Sequence, residues 1–225
     1  MKKFIFSQSP HRNSTKIAHQ NLKFLEKYHK IAHVLNNKDA NYNIFIYRDP
    51  LDRLISLYLN KFIVKSLEND VAKLFESTFN TPAKLATFED FIMKFSKIAK
   101  IEKNGHFHSH YDTLGRFNYN AVIEFKQIKA DFLMIMPDKY VEKYFSSPIN
   151  KSDFSASTLS DSTDPFLKFG SDVGAVPAEE LRQCFAIHGK TPPRDRFASP
   201  ARADRVREIY AVDYALSERL EKAEI

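Results

Sequence analysis

The stretch NIFIYRDPLDRLISLY (residues 43–58) predicts a buried strand that runs directly into a helix. Residues 44–47 form a short apolar run rich in β-branched and aromatic side chains, which is typical of a strand. Asp49 is a favoured N-cap residue, and Pro50 suits the first helical position, where its missing N–H costs no hydrogen bond. The apolar residues that follow recur at helical spacing and predict a core face on a helix ending at about residue 67: Leu51, Leu54, Ile55, Tyr58 and Phe62.

This junction is a candidate anion site. Arg48 directly follows the predicted strand, and Ser56 lies two turns along the predicted helix. In open parallel sheets, ligands bind outside the carboxyl ends of the strands, and helix N-termini attract anions. The alternative for so short a motif is an Arg–Asp pair on a surface turn.

The pattern R-D-P-x-x-R-x-x-S at residues 48–56 resembles the 3′-phosphate-binding segment of sulfotransferases that use the sulfate donor PAPS. It is most similar to the carbohydrate sulfotransferases related to the chondroitin and HNK-1 enzymes (sulfotransferase family 2). The resemblance implies that Arg48 and Ser56 bind the 3′-phosphate. This is chemically reasonable, because a guanidinium offers phosphate oxygens a planar fork of donors.

A second resemblance lies at residues 9–16, SPHRNSTK, between a predicted strand (Lys3 to Ser7) and a predicted helix (Ser14 to about Lys30). Backbone N–H groups at such a position are available to a phosphate. The family has P-K-x-G-[ST]-T here, so the 5′-phosphosulfate would be bound by Arg12, Asn13, Ser14, Thr15 and Lys16. His11 replaces the family lysine, which stabilises charge on the bridging oxygen, and Asn13 replaces its glycine. The alternative is an ordinary Ser/Thr helix cap.

The histidine cluster of residues 105–114, GHFHSHYDTL, resembles the H-[WF]-x-P-Q segment of the same enzymes. His106 and Phe107 match, whereas Ser109 and His110 replace proline and glutamine. The resemblance implies that His106 is the general base, a task that suits a side chain with a pKa of about 6.5. His33 stays open as the base, because some glycan 2-O-sulfotransferases place a histidine upstream of the R-D-P strand. Alternating histidines can also bind a metal, but no nearby cysteine or acidic cluster completes a site, and we predict none.

Residues 189–196, GKTPPRDR, form a stiff basic loop ahead of the last predicted helix. The resemblance implies that such a loop closes over the donor, with Lys190, Arg194 and Arg196 as candidates. A solvated loop is the alternative. Residues 209–216 resemble the final helix of these enzymes. Residues 119–131 resemble a structural strand of the family in which Lys126 replaces a glutamate.

The order of the predicted elements indicates an α/β fold, a P-loop-NTPase-like three-layer parallel sheet flanked by helices, because strands alternate with helices along the chain. One domain spans residues 1–225, with a loop-rich segment at about 150–185 that includes a long surface loop over 150–174. The further predicted elements are strands at Ala32–Leu35, Ala121–Phe125 and Phe132–Met136, and helices after Thr87, at Asp138–Phe145, at Pro177–Ile187 and after Ser199.

Composition narrows the function classes. The 225 residues are 43% hydrophobic with 20 phenylalanines, which is ample for a core, and the net charge of +6 suits an anionic cofactor or an acidic glycan. The basic residues are spread out, which disfavours nucleic acid as a partner. A single cysteine, Cys184, excludes an internal disulfide and fits a reducing compartment. With no signal peptide or long apolar run, we expect no transmembrane segment and a cytoplasmic, bacterial relative of the anchored Golgi enzymes.

The predicted function is transfer of a sulfuryl group from PAPS to a hydroxyl of a carbohydrate acceptor, with PAP as the product. A non-catalytic PAP- or glycan-binding protein of the same fold is the alternative, favoured by His11, Asn13 and Lys126. A nucleotide kinase is disfavoured, since G-x-x-x-x-G-K-[ST] is absent and the chain has only five glycines. The acceptor and the oligomeric state stay open.

Overall fold

The computed structural model describes residues 44–102, 104–111, 121–135, 138–145 and 164–221. The described residues belong to two compact units. The first draws on residues 1–48, 114–152 and 216–225, and the second on residues 49–113 and 153–215. The predicted elements before residue 44 lie outside the described residues. No helix in the part of the chain that the structure describes is long and apolar enough to cross a bilayer.

The described strands and α-helices are, in chain order, β1 (Ile44–Tyr47), α1 (Pro50–Tyr58), α2 (Asp70–Phe79), α3 (Phe88–Asp90), α4 (Ser96–Ile101), β2 (Ala121–Glu124), α5 (Ile128–Ile135), α6 (Asp138–Phe145), α7 (Ala178–His188), α8 (Pro200–Ile209) and α9 (Ala211–Glu221). Wider π-helical turns extend α1 over Leu59–Val64 and join α3 to α4 over Phe91–Phe95. Short 3₁₀ turns occupy Ala83–Leu85, Phe125–Gln127, Leu167–Phe169 and Arg194–Phe197.

The first unit contains a parallel pair of strands. β1 and β2 pair with Ile44 opposite Ala121 and Tyr47 opposite Glu124. The strand predicted at residues 44–47 is confirmed, and the one predicted at 121–125 is confirmed one residue shorter. A parallel pair requires a crossover connection, which agrees with the 73 residues between the two strands (48–120).

One predicted strand of the first unit is wrong. Residues 132–136 were expected to be extended, but residues 132–135 belong to helix α5, which ends at Ile135. A short apolar run cannot be assigned to strand or helix by periodicity alone, and the stretch IKADFLMI contains several good helix formers. Phe132 is buried with Ile123 of β2 and Val141 of α6, whereas Met134 is exposed. The helix predicted at 138–145 is confirmed.

The core of the second unit is a cluster of aromatic rings. The Phe91 ring is fully buried and contacts five other rings with centroid separations of 5.4 to 6.0 Å. Ring pairs at such distances add about 0.5–1.5 kcal/mol each beyond area burial. We call this group the aromatic cluster: Tyr58, Phe62, Phe75, Phe88, Phe91, Phe95, Phe107 and Phe197.

Three predicted helix starts are confirmed by their caps. The side chains of Asp49, Thr87 and Ser199 each accept a hydrogen bond from the amide three residues on, at 2.9, 3.0 and 3.3 Å. Each satisfies one of the N–H groups that a helix leaves unpaired at its start. α1 with its π-helical extension ends at Val64, three residues before the predicted end.

Residues 164–176 are irregular but are not a plain surface loop, because Phe166 and Val173 are fully buried. The buried guanidinium of Arg202 pairs with both Asp172 oxygens, Nη1 to Oδ1 at 2.8 Å and Nη2 to Oδ2 at 3.0 Å, and its hydrogen bond lowers the Asp172 pKa. A Cβ at Gly174 would lie 2.1 Å from the guanidinium carbon, so only glycine fits while Arg202 keeps its bonds to Asp172. The prediction of a surface loop over 150–174 is therefore wrong for residues 164–174.

We expect Phe91→Ala to lower the free energy of unfolding by about 3–5 kcal/mol, because it removes a ring at the centre of the aromatic cluster and leaves a cavity. Urea titration followed by circular dichroism measures the change. Ile101→Ala is the control, since Ile101 is 68% exposed, and we expect it to cost less than about 0.5 kcal/mol. Equal effects of the two substitutions would contradict the central place of Phe91.

Candidate active site

The end of β1 has the predicted arrangement. Arg48 follows the strand, and its guanidinium carbon lies 5.1 Å from the centroid of the Phe125 ring in the first unit. The ring face attracts the cation, an interaction worth about 0.5–1 kcal/mol at an exposed site. The structure therefore locates Arg48 at the carboxyl end of a parallel strand, as the sequence predicts. Its role toward a phosphate stays a prediction.

In the second unit, both carboxylate oxygens of Asp49 make hydrogen bonds at the start of α1. One Asp49 oxygen caps the helix, and the other accepts a hydrogen bond from the Tyr214 hydroxyl at 3.1 Å. Ser56 donates from Oγ to the Asp52 carbonyl oxygen at 3.0 Å, which is the usual back-bond of a serine within a helix.

The basic loop predicted to close over the donor contacts α1. Arg194 donates to Asp52 Oδ1 at 2.8 Å, although its side chain is half exposed. The structure thus brings Arg194 to the first turn of the helix that carries Ser56. Arg196 pairs with Asp164 at 2.7 Å, and Lys190 is exposed. Gly189, which begins the loop, ends α7 in the left-handed conformation with φ 64°.

The segment 104–111 carries the histidine cluster and is fixed to the core of the second unit. The buried Phe107 ring packs against two rings of the aromatic cluster at 5.5 and 5.6 Å. The Asn104 carbonyl accepts from the Phe107 amide at 2.8 Å, and its side-chain oxygen accepts from the His106 amide at 3.1 Å. Phe107 therefore belongs to the core, while His106 lies at the surface beside it.

His106 lies beside Asp70 at the start of α2. The distance from His106 Nε2 to Asp70 Oδ2 is 3.5 Å, and Lys61 donates to the other Asp70 oxygen at 2.7 Å. Burial of the ring, followed by the nearby charge of Lys61, lowers the His106 pKa. A neutral imidazole at neutral pH is the form that accepts a proton.

Sequence reasoning missed one functional candidate, Asp213. Its fully buried carboxylate accepts hydrogen bonds from the hydroxyl of Ser109 and from the amides of His110 and Tyr111, the amides at 3.1 and 2.9 Å. Arg53, from the R-D-P segment, lies with Nη2 3.6 Å from Asp213 Oδ2. The signal in the sequence was an acid on the apolar face of the last helical region, three residues after Tyr210 and three before Leu216.

Several predicted site residues lie outside the described residues: His11, Arg12, Asn13, Ser14, Thr15, Lys16 and His33. Their roles stay predictions. Within the described ranges, no group of three or more His, Cys, Asp or Glu side chains is placed to hold a metal ion.

Residues 2–154 match the Sulfotransferase family. No curated protein and no solved structure shows significant similarity to the chain. Because the match covers more than half of the chain, the chain belongs to the sulfotransferase family, and its activity class is that of a sulfuryl-transferring enzyme. The match includes the R-D-P segment, the segment around His11 and the histidine cluster. The loop with Arg194 and the helix with Asp213 lie beyond it.

We expect NMR titration of the His106 ring to give a pKa below the ordinary value of about 6.5. Asp70→Asn should lower it further, because it removes the carboxylate that favours the charged ring, and Lys61→Met should raise it. The unfolded chain then binds this proton at higher pH than the folded one. Stability is therefore lost as the pH falls from about 6.5 through the folded pKa. A wild-type value above 6.5 would contradict the described environment.

Proposed function

We propose that this chain transfers a sulfuryl group from PAPS to a hydroxyl of a carbohydrate acceptor. One observation carries the proposal: within the family match, the R-D-P segment joins a parallel strand to a helix that is N-capped by Asp49 and begins at Pro50. Such a junction suits an anionic ligand, because the helix N-terminus favours negative charge.

At the donor end, Arg48 and Ser56 bind the 3′-phosphate. Arg12, Asn13, Ser14, Thr15 and Lys16 bind the 5′-phosphosulfate, and Lys190 and Arg194 close over the nucleotide. The contact of Arg194 with Asp52 supports this last assignment, since it places the basic loop at the first turn of α1. The net charge of +6 suits a donor with several negative charges.

The reaction is an in-line displacement at sulfur. A bond forms from the acceptor oxygen to sulfur as the bond from sulfur to the bridging phosphate oxygen breaks, and PAP leaves with the electron pair. His106 takes the acceptor proton, with His33 and His11 as the other candidates. Little covalent chemistry is required of the protein, so positioning and charge stabilisation dominate the rate enhancement, as in phosphoryl transfer.

The proposed fold is the three-layer, P-loop-like parallel sheet, and the parallel pairing of β1 with β2 is consistent with it. We also propose a cytoplasmic location. The support is the cysteine count, a single buried cysteine at position 184, which fits a reducing compartment.

The second candidate is a protein that binds PAP or a glycan without turnover. Two substitutions in the 5′ segment favour it: His11 stands where the family has lysine, and Asn13 where it has glycine. A neutral His11 offers less stabilisation to the bridging oxygen than a lysine. Asn13 adopts the left-handed backbone more readily than most residues but less readily than glycine.

Calorimetric titration with PAP tests the donor site. Arg48→Ala should weaken PAP binding about 100-fold, because it removes charged hydrogen bonds to phosphate worth about 3 kcal/mol in total. Adenosine 5′-phosphosulfate, which lacks the 3′-phosphate, should bind the wild type and the variant with the same low affinity. Arg207→Ala is the matched control, since the Arg207 side chain is 67% exposed. An unchanged affinity of Arg48→Ala for PAP would contradict the assignment of the motif.

Turnover of labelled PAPS with a panel of glycans separates the enzyme from the binding protein. His106→Ala should leave PAP affinity unchanged and lower kcat by about 10²–10⁴-fold, the usual contribution of a general base. His188→Ala, at the exposed end of α7, should change neither quantity. Full activity of His106→Ala would move the base to His33 or His11, and PAP binding without turnover of any acceptor would favour the second candidate.

A further inference from the structure

The carboxylate of Asp213 is fully buried and is surrounded by donors from a distant part of the chain. Three of its hydrogen bonds come from consecutive residues, the Ser109 hydroxyl and the amides of His110 and Tyr111. Burying a carboxylate costs several kcal/mol unless its partners are well placed. The backbone of this segment therefore has one strongly favoured position relative to Asp213.

Arg53 and Tyr210 complete the arrangement. The Arg53 guanidinium lies 4.9 Å from the centroid of the Tyr210 ring and 3.6 Å from Asp213. Within the described residues its Nε and Nη2 atoms make no hydrogen bond, so the carboxylate and the ring face offset its charge. The Tyr210 hydroxyl donates to the Phe107 carbonyl oxygen at 3.0 Å. Burial raises the pKa of Tyr210 to about 12, so this hydroxyl is protonated at neutral pH.

These contacts fix the backbone next to His106. Asn104 holds the amides of His106 and Phe107, and Tyr210 holds the carbonyl of Phe107. Ser109 occupies the place of proline in the pattern that this segment resembles. A proline would restrict the backbone through its ring, and it has neither a hydroxyl nor an amide N–H to donate. In this chain the buried hydrogen bond from Ser109 to Asp213 restrains the backbone at that position instead.

We propose that Tyr210 and Asp213 are positioning residues, which hold the segment 104–111 so that His106 is presented at a fixed place for proton transfer. Arg53 orients the Asp213 carboxylate. The catalytic part of this inference rests on the proposed function. A misplacement of about 1 Å at a reacting group can cost about 100-fold in rate, so the contacts matter even though none of them touches the acceptor.

The test uses two matched tyrosines. Tyr210→Phe keeps the ring beneath Arg53 and removes only the hydroxyl. Tyr58→Phe is the control, because Tyr58 is also fully buried and its hydroxyl also donates to a backbone carbonyl, that of Ala86 at 3.0 Å. Each variant loses one buried hydrogen bond to a backbone carbonyl, so we expect their melting temperatures to fall by similar amounts. Only the bond from Tyr210 to Phe107 lies next to His106 in the chain.

We expect Tyr210→Phe to lower kcat at least 10-fold, with the KM for PAPS and the Kd for PAP within twofold of wild type. Tyr58→Phe should keep the wild-type kcat. Ser109→Ala removes a second contact of the segment and should also lower kcat, which keeps the test decisive should Tyr210→Phe fold poorly. Equal kcat values for wild type, Tyr210→Phe and Ser109→Ala would overturn the proposal.

Two readouts without turnover distinguish this inference from the proposed function. Hydrogen exchange of the amides of residues 106–111 should accelerate at least 10-fold in Tyr210→Phe and Ser109→Ala but not in Tyr58→Phe. The His106 pKa should move toward its ordinary value in the first two variants only, because the ring leaves its place beside Asp70 and Lys61. If the wild type turns over no acceptor, the proposed function fails, and unchanged exchange and pKa would separately overturn the positioning role.

Discussion

The packing of aromatic rings around Phe91 is the constraint on which the second unit depends. Three segments that carry candidate site residues of this unit each insert one ring into that cluster. Tyr58 comes from the helix of Ser56, Phe107 adjoins His106, and Phe197 ends the 3₁₀ turn of Arg194. Interiors of this kind are close-packed and resist displacement. Ser56, His106 and Arg194 are thus attached to a common close-packed core, although they lie far apart in the sequence.

Two buried charged residues at the edge of this core fix the positions of irregular segments of the chain. Arg202 holds the irregular segment around Asp172, and Asp213 holds the segment that follows His106. A buried ion pair is a poor source of net stability, because desolvation offsets most of the attraction. Its value lies in geometry, since a misplaced partner leaves a charge unsatisfied. Arg202 and Asp213 therefore give two irregular segments of the chain a defined position.

Prediction from the sequence succeeded where neighbouring residues determine the structure. It failed where the structure depends on residues that are distant in the sequence. The strand before Arg48, the cap of Asp49 and the helix at 138–145 follow from side-chain period and capping preference, and all three are observed. The apolar run at 132–136 is too short to distinguish strand from helix, and there the prediction was wrong. Asp213 meets residues about a hundred positions away, so no local pattern could reveal its partners. The roles of His11 and His33 depend on residues outside those described.

The contact between Gly174 and Arg202 has an evolutionary consequence. A methyl group at position 174 would overlap the guanidinium, and the guanidinium joins Asp172 to Glu89. A side chain at 174 therefore requires the guanidinium to move or a smaller residue at 202, and either change leaves Asp172 and Glu89 without their cation. We therefore expect a larger residue at 174 among relatives to be accompanied by a change at 202, whereas Asp172 and Glu89, whose side chains are 51% and 43% exposed, can vary more freely.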